Sequence, residues 1–153
     1  MSTAKDIGVA ISEVINASAQ PWVIGGWTSE FRWRPERPRK DSSDSVVVVT
    51  PVDYVFDEAS RDRCRCPKVY EHHVLVMKRL GADTTGKEYG DPDEIDQLTT
   101  LAGQIGDEMF TVQRLSGEFA QDRVPQPAPF FNEFYLEQHR IFISAVACFY
   151  RSG

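Results

Sequence analysis

A chain of 153 residues with 41% hydrophobic residues is long enough to bury one core and short for two domains, so we expect a single domain over residues 1–153. Its net charge of −6 argues against a protein that works by wrapping nucleic acid, and an odd count of 3 cysteines makes a disulfide framework a poor interpretation. The sequence has neither an apolar run of about 18 residues nor a signal-peptide pattern, which predicts a soluble protein made in a cytoplasm.

The chain begins with an amphipathic helix over residues 4–19. Its apolar positions recur at the spacing of one helix face, and Pro21 then stops the run. These positions are Ile7, Ala10, Ile11, Val14 and Ile15.

A half-exposed strand follows over residues 29–35. Phe31 and Trp33 alternate with Arg32 and Arg34, so the aromatic side chains should lie on one face and the guanidinium groups on the other. The β-branched run at residues 45–52 is apolar on both faces and predicts a central strand that is covered on both sides.

The second half predicts a long strand, a long helix and a closing strand. Residues 67–80 read as the strand, and the helix begins with Asp91 as its N-cap and Pro92 at its first position. The apolar residues that then follow one face of this helix are Ile95, Leu98, Leu101, Ala102, Ile105 and Met109. Residues 141–150 form a near-continuous apolar strand, whereas residues 130–138 are ambiguous between a short helix and a strand. Residues 36–45, 81–91 and 116–129 are polar and resemble loops.

This order of elements predicts the fold class. We expect an α+β domain in which a mostly antiparallel sheet of about four to five strands packs against two main helices, because the connections between strands look short.

One short stretch has the composition of a metal site. Cys64, Cys66, His72 and His73 lie within residues 63–73, and thiolates and imidazoles are ligands that zinc prefers. The two histidines would point to opposite faces of a strand, and the one-residue gap between the cysteines is tighter than structural zinc sites use. We therefore predict no bound metal, and interpret the stretch as a junction between a loop and a strand.

A second stretch, residues 81–88, resembles a phosphate-binding loop through Lys87. The next position needs a hydroxyl group for magnesium, but Glu88 places a negative charge there, and the following helix starts too late. We predict no nucleotide and no other cofactor. No set of catalytic side chains stands out in the sequence, so it gives no positive evidence for catalysis.

Basic and aromatic residues concentrate in residues 32–40 of this acidic chain. Arginine and tryptophan are common anchors of protein interfaces, so this segment is a candidate contact surface for an acidic partner; a solvated strand edge is the alternative. The residues concerned are Arg32, Trp33, Arg34, Arg37, Arg39 and Lys40.

Taken in order, these pieces resemble a known family. The first helix ends near Ile15-Asn16-Ala17. It is followed by an aromatic and arginine strand, a valine-rich strand, an arginine-containing loop with a long strand, a second helix and a closing strand. The corresponding residues are 31–35, 46–51, 60–79, 93–98 and 140–151. This arrangement is similar to the tail terminator or tail completion proteins of long-tailed bacteriophages, over nearly the whole chain.

The resemblance implies a structural protein of the virion neck, which is not an enzyme. Such a subunit would form a ring, expected to be a hexamer, on the last ring of the tail tube, contact the tail tube protein, and present a surface to the head connector or head-closure protein. DNA would pass through its lumen without specific binding, and assembly would occur in the host cytoplasm without a membrane. The loops at residues 32–40 and 81–91, the latter with Lys87, are then the candidates for the axial contacts.

Three other functions stay open at this point. A head-closure or connector adaptor protein would share most of these sequence signals. A small ligand-binding or metal-binding α+β domain would use residues 64–73, and a nucleic-acid-binding module would use the basic segment.

Overall fold

A computed structural model describes residues 3–34, 46–52, 69–80, 92–128 and 141–152. These residues form two helices and six strands. In chain order the elements are α1 (Thr3–Ala17), β1 (Ser29–Phe31), β2 (Val46–Pro51), β3 (Val69–Arg79), α2 (Pro92–Thr111), β4 (Arg114–Leu115), β5 (Phe119–Ala128) and β6 (Ile141–Ser152).

The sheet is mixed and has the strand order β1-β2-β3-β6-β5-β4. Only β1 and β2 pair in parallel, and the other neighbours are antiparallel. The α+β class and the mostly antiparallel sheet are as predicted, but the number of four to five strands is too low. The parallel pair was not anticipated, because the prediction treated all connections between strands as short. The connection from Phe31 to Val46 in fact exceeds the roughly twelve residues that a parallel crossover needs.

Both helices pack on the same face of the sheet. The predicted apolar stripe of α1 is buried, with Ile7, Ile11 and Ile15 fully inaccessible, and the stripe of α2 is buried around Leu98 and Ile105. These side chains join one cluster with residues of β2, β3 and β6. The two helical periodicities therefore predicted the main core correctly.

The three apolar strands are buried on both of their faces. Val47 and Val49 of β2 belong to the core beneath the helices, whereas Val48 packs with Leu75 and Ala145 in a second cluster on the opposite face. This confirms that β2 is covered on both sides, although it lies next to the edge strand β1 and not at the centre of the sheet.

Residues 116–129 were predicted to be a loop, and this prediction is wrong. A tight turn with positive φ at Ser116 and Gly117 joins β4 to β5, and β5 extends from Phe119 to Ala128. Proline is tolerated in such a strand because β4 pairs only with its first two residues and two register shifts interrupt its pairing with β6.

A single row of cross-strand partners connects β1 to β5. Phe31 pairs with Val49, Val49 with Val74, Val74 with Val146, and Val146 with Pro127. At a spacing of about 4.8 Å per strand, the row runs roughly 19 Å along the curved sheet. Features at Phe31 and at Pro127 thus share one position along the strand direction but lie on opposite sides of the domain.

Candidate functional site

His72 and His73 point to the two faces of β3, as the sequence predicts. His72 is fully buried beneath α1, and its Nε2 lies 2.7 Å from the carbonyl oxygen of Ala4. His73 lies on the other face, where its Nε2 is 3.4 Å from Oε1 of Glu71. Across the described ranges, no three His, Cys, Asp or Glu side chains stand close enough to hold a metal ion. Cys64, Cys66 and His139 lie outside those ranges.

The burial of His72 fixes its protonation state. Desolvation lowers the pKa of His72 to about 4, and the hydrogen bond to Ala4 offsets this only in part. The neutral ring therefore donates its Nε2 proton to Ala4, while Nδ1 has no hydrogen-bond partner among the described residues. His72 thus fastens the first turn of α1 to the sheet, which is a structural role.

Cys148 lies beside His72 as its register partner on β6. Its side chain is inaccessible, and burial raises the pKa of the Cys148 thiol to about 12. A protonated, enclosed thiol is a weak nucleophile and a poor metal ligand. The adjacent thiol and imidazole are therefore part of the packing under α1.

The first candidate surface, which we call the basic-aromatic surface, consists of Arg32, Trp33 and Arg34. The strand ends at Phe31, earlier than the predicted residue 35, and the rings of Phe31 and Trp33 meet edge to face with centroids 5.2 Å apart. Trp33 is 48% exposed and Arg34 is exposed, whereas Arg32 pairs with Glu30 at 2.8 Å. The remaining predicted contact residues, Arg37, Arg39, Lys40 and Lys87, lie outside the described residues.

Two hydrogen bonds to the backbone of residues 32 and 33 hold this surface against β2. The amide of Arg32 donates to the carbonyl of Val49 at 2.9 Å, and Oγ1 of Thr50 donates to the carbonyl of Trp33 at 3.3 Å. The aromatic side chain is therefore presented from a fixed segment at the edge of the sheet, which lowers the entropy that a partner must overcome on binding.

A polar cluster fastens β1 to α1. The side-chain amide of Asn16 bonds both backbone groups of Ser29, accepting from its N–H at 2.8 Å and donating to its carbonyl at 3.0 Å. Oγ of Ser12 also donates to the Ser29 carbonyl, at 2.8 Å. Asn16 thereby takes the place that a neighbouring strand would occupy, which limits edge-to-edge pairing at Ser29.

The second candidate surface is a groove between α2 and the β5–β6 pair, which we call the α2–β5 groove. Its volume is about 350 Å³, and its floor includes Val146 while Pro125 and Pro127 form one wall. Gly103 and Gly106 of α2 form the other wall, where Gly103 has open space at the position of a β-carbon. The absence of side chains at these glycines is what leaves the groove open.

An exposed aromatic ring and a carboxylate stand at the groove. Phe110 lines it and is 57% exposed, and Asp107 lines it as an exposed acid. Nε2 of Gln121 donates to the carbonyl of Met109 at 3.0 Å, which ties the end of α2 to β5. The groove is thus apolar, acidic on one side and held between fixed elements.

Sequence reasoning did not find this groove. It treated residues 116–129 as a loop, so the second wall was missing from the prediction. The two glycines of α2, three positions apart, were the available signal, since glycine disfavours a helix interior unless something else requires it.

Comparison of the chain with models of known families, with curated protein sequences and with solved structures found no match. Neither helix in the described part of the chain is long and apolar enough to span a membrane. The described residues form an α+β sheet domain that carries two different exposed surfaces, at opposite ends of one cross-strand row.

Proposed function

We propose that this protein is a structural subunit of a bacteriophage neck, a tail terminator that caps the tail tube as a ring and joins the tail to the head. The ring is expected to be a hexamer. In this role the protein is not an enzyme, and it needs no metal or cofactor.

The observation that carries the proposal is the pair of unlike surfaces. A ring formed by head-to-tail contacts needs two different patches on each subunit, and its copy number is set by closure. The basic-aromatic surface at β1 and the α2–β5 groove are two such patches. The cross-strand row that connects Phe31 to Pro127 keeps them at one level, which suits neighbours that sit side by side in a ring.

The charge of the chain supports passage of DNA through the ring. A net charge of −6 on each subunit repels DNA phosphates, so a genome would move through the lumen without specific binding. Strong, salt-dependent binding of duplex DNA by the assembled ring would argue against this part of the proposal.

The partners of the ring follow from its position. One side contacts the tail tube protein, and the other side contacts the head connector or head-closure protein. The protein belongs to the virion neck and assembles in the host cytoplasm. The proposed axial contacts are residues 35–40, which continue the segment beyond the basic-aromatic surface, and the loop with Lys87.

Electron microscopy of the purified protein with isolated tail tubes tests the function. We expect rings at one end of each tube and tubes that no longer elongate when tube protein is added. A protein that binds head connectors but ignores tubes would be an adaptor instead. A monomer that binds neither would contradict the proposal.

A further inference from the structure

The two exposed surfaces are complementary in chemistry. The basic-aromatic surface presents the exposed Trp33 beside the cationic Arg34, and the α2–β5 groove presents apolar walls beside the anionic Asp107. Arg34 and Asp107 make no ion pair within the residues that the structure describes. The groove therefore offers an apolar contact and an anion to a surface that presents an exposed indole ring and a cation.

The groove has room for a large aromatic side chain. Its volume of about 350 Å³ equals the liquid volume of roughly a dozen waters at about 30 Å³ each. Tryptophan and arginine are the residues most often found as energetic anchors of interfaces, and they act best in pockets that exclude water. The exposed ring of Phe110 at the groove offers an aromatic contact to an entering indole.

The two surfaces cannot meet within one subunit. They lie at opposite ends of a cross-strand row that runs roughly 19 Å along the sheet. A second copy of the chain placed beside the first can bring them together, and each copy then keeps one free surface for the next neighbour. Such a contact is head-to-tail and propagates into a ring if the rotation closes.

We propose that Trp33 of one subunit inserts into the α2–β5 groove of a second copy of this chain, with Arg34 paired to Asp107 of that copy. This inference rests on the proposed ring function and names the contact that builds the ring. The apolar contact supplies affinity, and the charge pair sets the register between neighbouring subunits.

Charge reversal tests the contact. Arg34→Glu and Asp107→Lys each place like charges together, so each variant alone should weaken self-association by at least about tenfold, measured by sedimentation velocity and by the fraction of tail tubes that carry a ring. The double variant restores an opposite pair and should recover ring formation. Trp33→Ala should also lose rings, since it removes the anchor.

Matched controls separate this contact from general charge effects. Glu13→Lys on α1 and Arg151→Glu near the end of β6 make the same kinds of charge change at exposed positions away from both surfaces. Both controls should form rings like the unmodified protein, and circular dichroism should show every variant folded.

The outcomes distinguish the contact from the function. Loss of rings in both single variants with recovery in the double variant supports the contact. Rings formed normally by either single variant would overturn the contact and leave the ring function standing. An unmodified protein that forms no rings, alone or on tubes, would contradict both.

Discussion

Acid should destabilise this protein through His72. The unfolded chain takes up a proton on this ring near pH 6.5, whereas the folded protein takes it up only near pH 4. Between these values the unfolded state binds more protons, so the free energy of unfolding falls as the pH falls. The carboxylates of the overlying helix α1, Asp6 and Glu13, are exposed and do not contribute to the pKa shift of His72, whereas His73 opposes protonation of the ring.

The size of the effect follows from the two pKa values. At about 1.36 kcal/mol for each pH unit between them, the full loss is about 3 kcal/mol below pH 4. Between pH 7 and pH 5 the expected loss is about 2 kcal/mol, which is large for a protein of marginal stability. Most of it lies above the range in which ordinary carboxylates titrate.

Urea unfolding at pH 7 and pH 5 measures this loss. His72→Gln keeps a donor for the carbonyl of Ala4 but cannot take up a proton in this range, so it should lose about 2 kcal/mol less than the unmodified protein over the same interval. His73→Gln is the matched control on the opposite face and should keep most of the loss. Equal pH dependence in the unmodified protein and in His72→Gln would refute a buried neutral imidazole.

Three further predictions follow from the packing and the surfaces. Asn16→Ala removes both hydrogen bonds to the backbone of Ser29 and should cost about 1–3 kcal/mol by urea unfolding; no loss would show that β1 is held by other contacts. Gly8→Ala places a β-carbon 2.3 Å from the ring of Phe31, and the overpacking cost of about 1–3 kcal/mol should exceed the gain in helix propensity. The added β-carbon of Gly103→Ala meets open space, so this variant should instead raise the free energy of unfolding by up to about 1 kcal/mol. A Gly8→Ala protein more stable than the Gly103→Ala protein would contradict the packing of α1 on β1. Neutralising the arginines beyond β1 should leave the urea midpoint unchanged but reduce joining of tails to heads, and normal particle assembly would argue against their contact role. These arginines are Arg37 and Arg39, since Arg34 belongs to the proposed contact between subunits.

The elements with strong periodicity could be predicted from the sequence. The isoleucines of α1 recur at helical spacing, and the valine run of β2 has no polar face, so each pattern permits one interpretation. The opposite orientations of His72 and His73 followed from the strand alone. These features depend on local geometry, which the sequence encodes directly.

The features that depend on distant residues could not be predicted. β5 contains Pro125 and Pro127 and has few buried positions, so its extended form depends on pairing with β6. β1 pairs in parallel with β2 and is bonded to α1 through Ser29, and no pattern within residues 29–35 reveals either contact. The groove needs both of its walls, and one of them is β5.

The basic-aromatic surface was predicted in part. Trp33 and Arg34 are exposed, but the strand that was predicted to carry them ends at Phe31, so both residues lie beyond it. Its proposed counterpart on α2 came only from the fold, because Asp107 and Phe110 meet the wall of β5 only in space.

Ring formation is tested most directly by a cryo-electron microscopy map of tail-tube ends incubated with the purified protein. We predict a closed ring on the tube end in which Trp33 of each subunit lies in the α2–β5 groove of its neighbour. A ring whose Trp33 and groove both face solvent would contradict the contact. Tube ends without any added ring would contradict the proposed function itself.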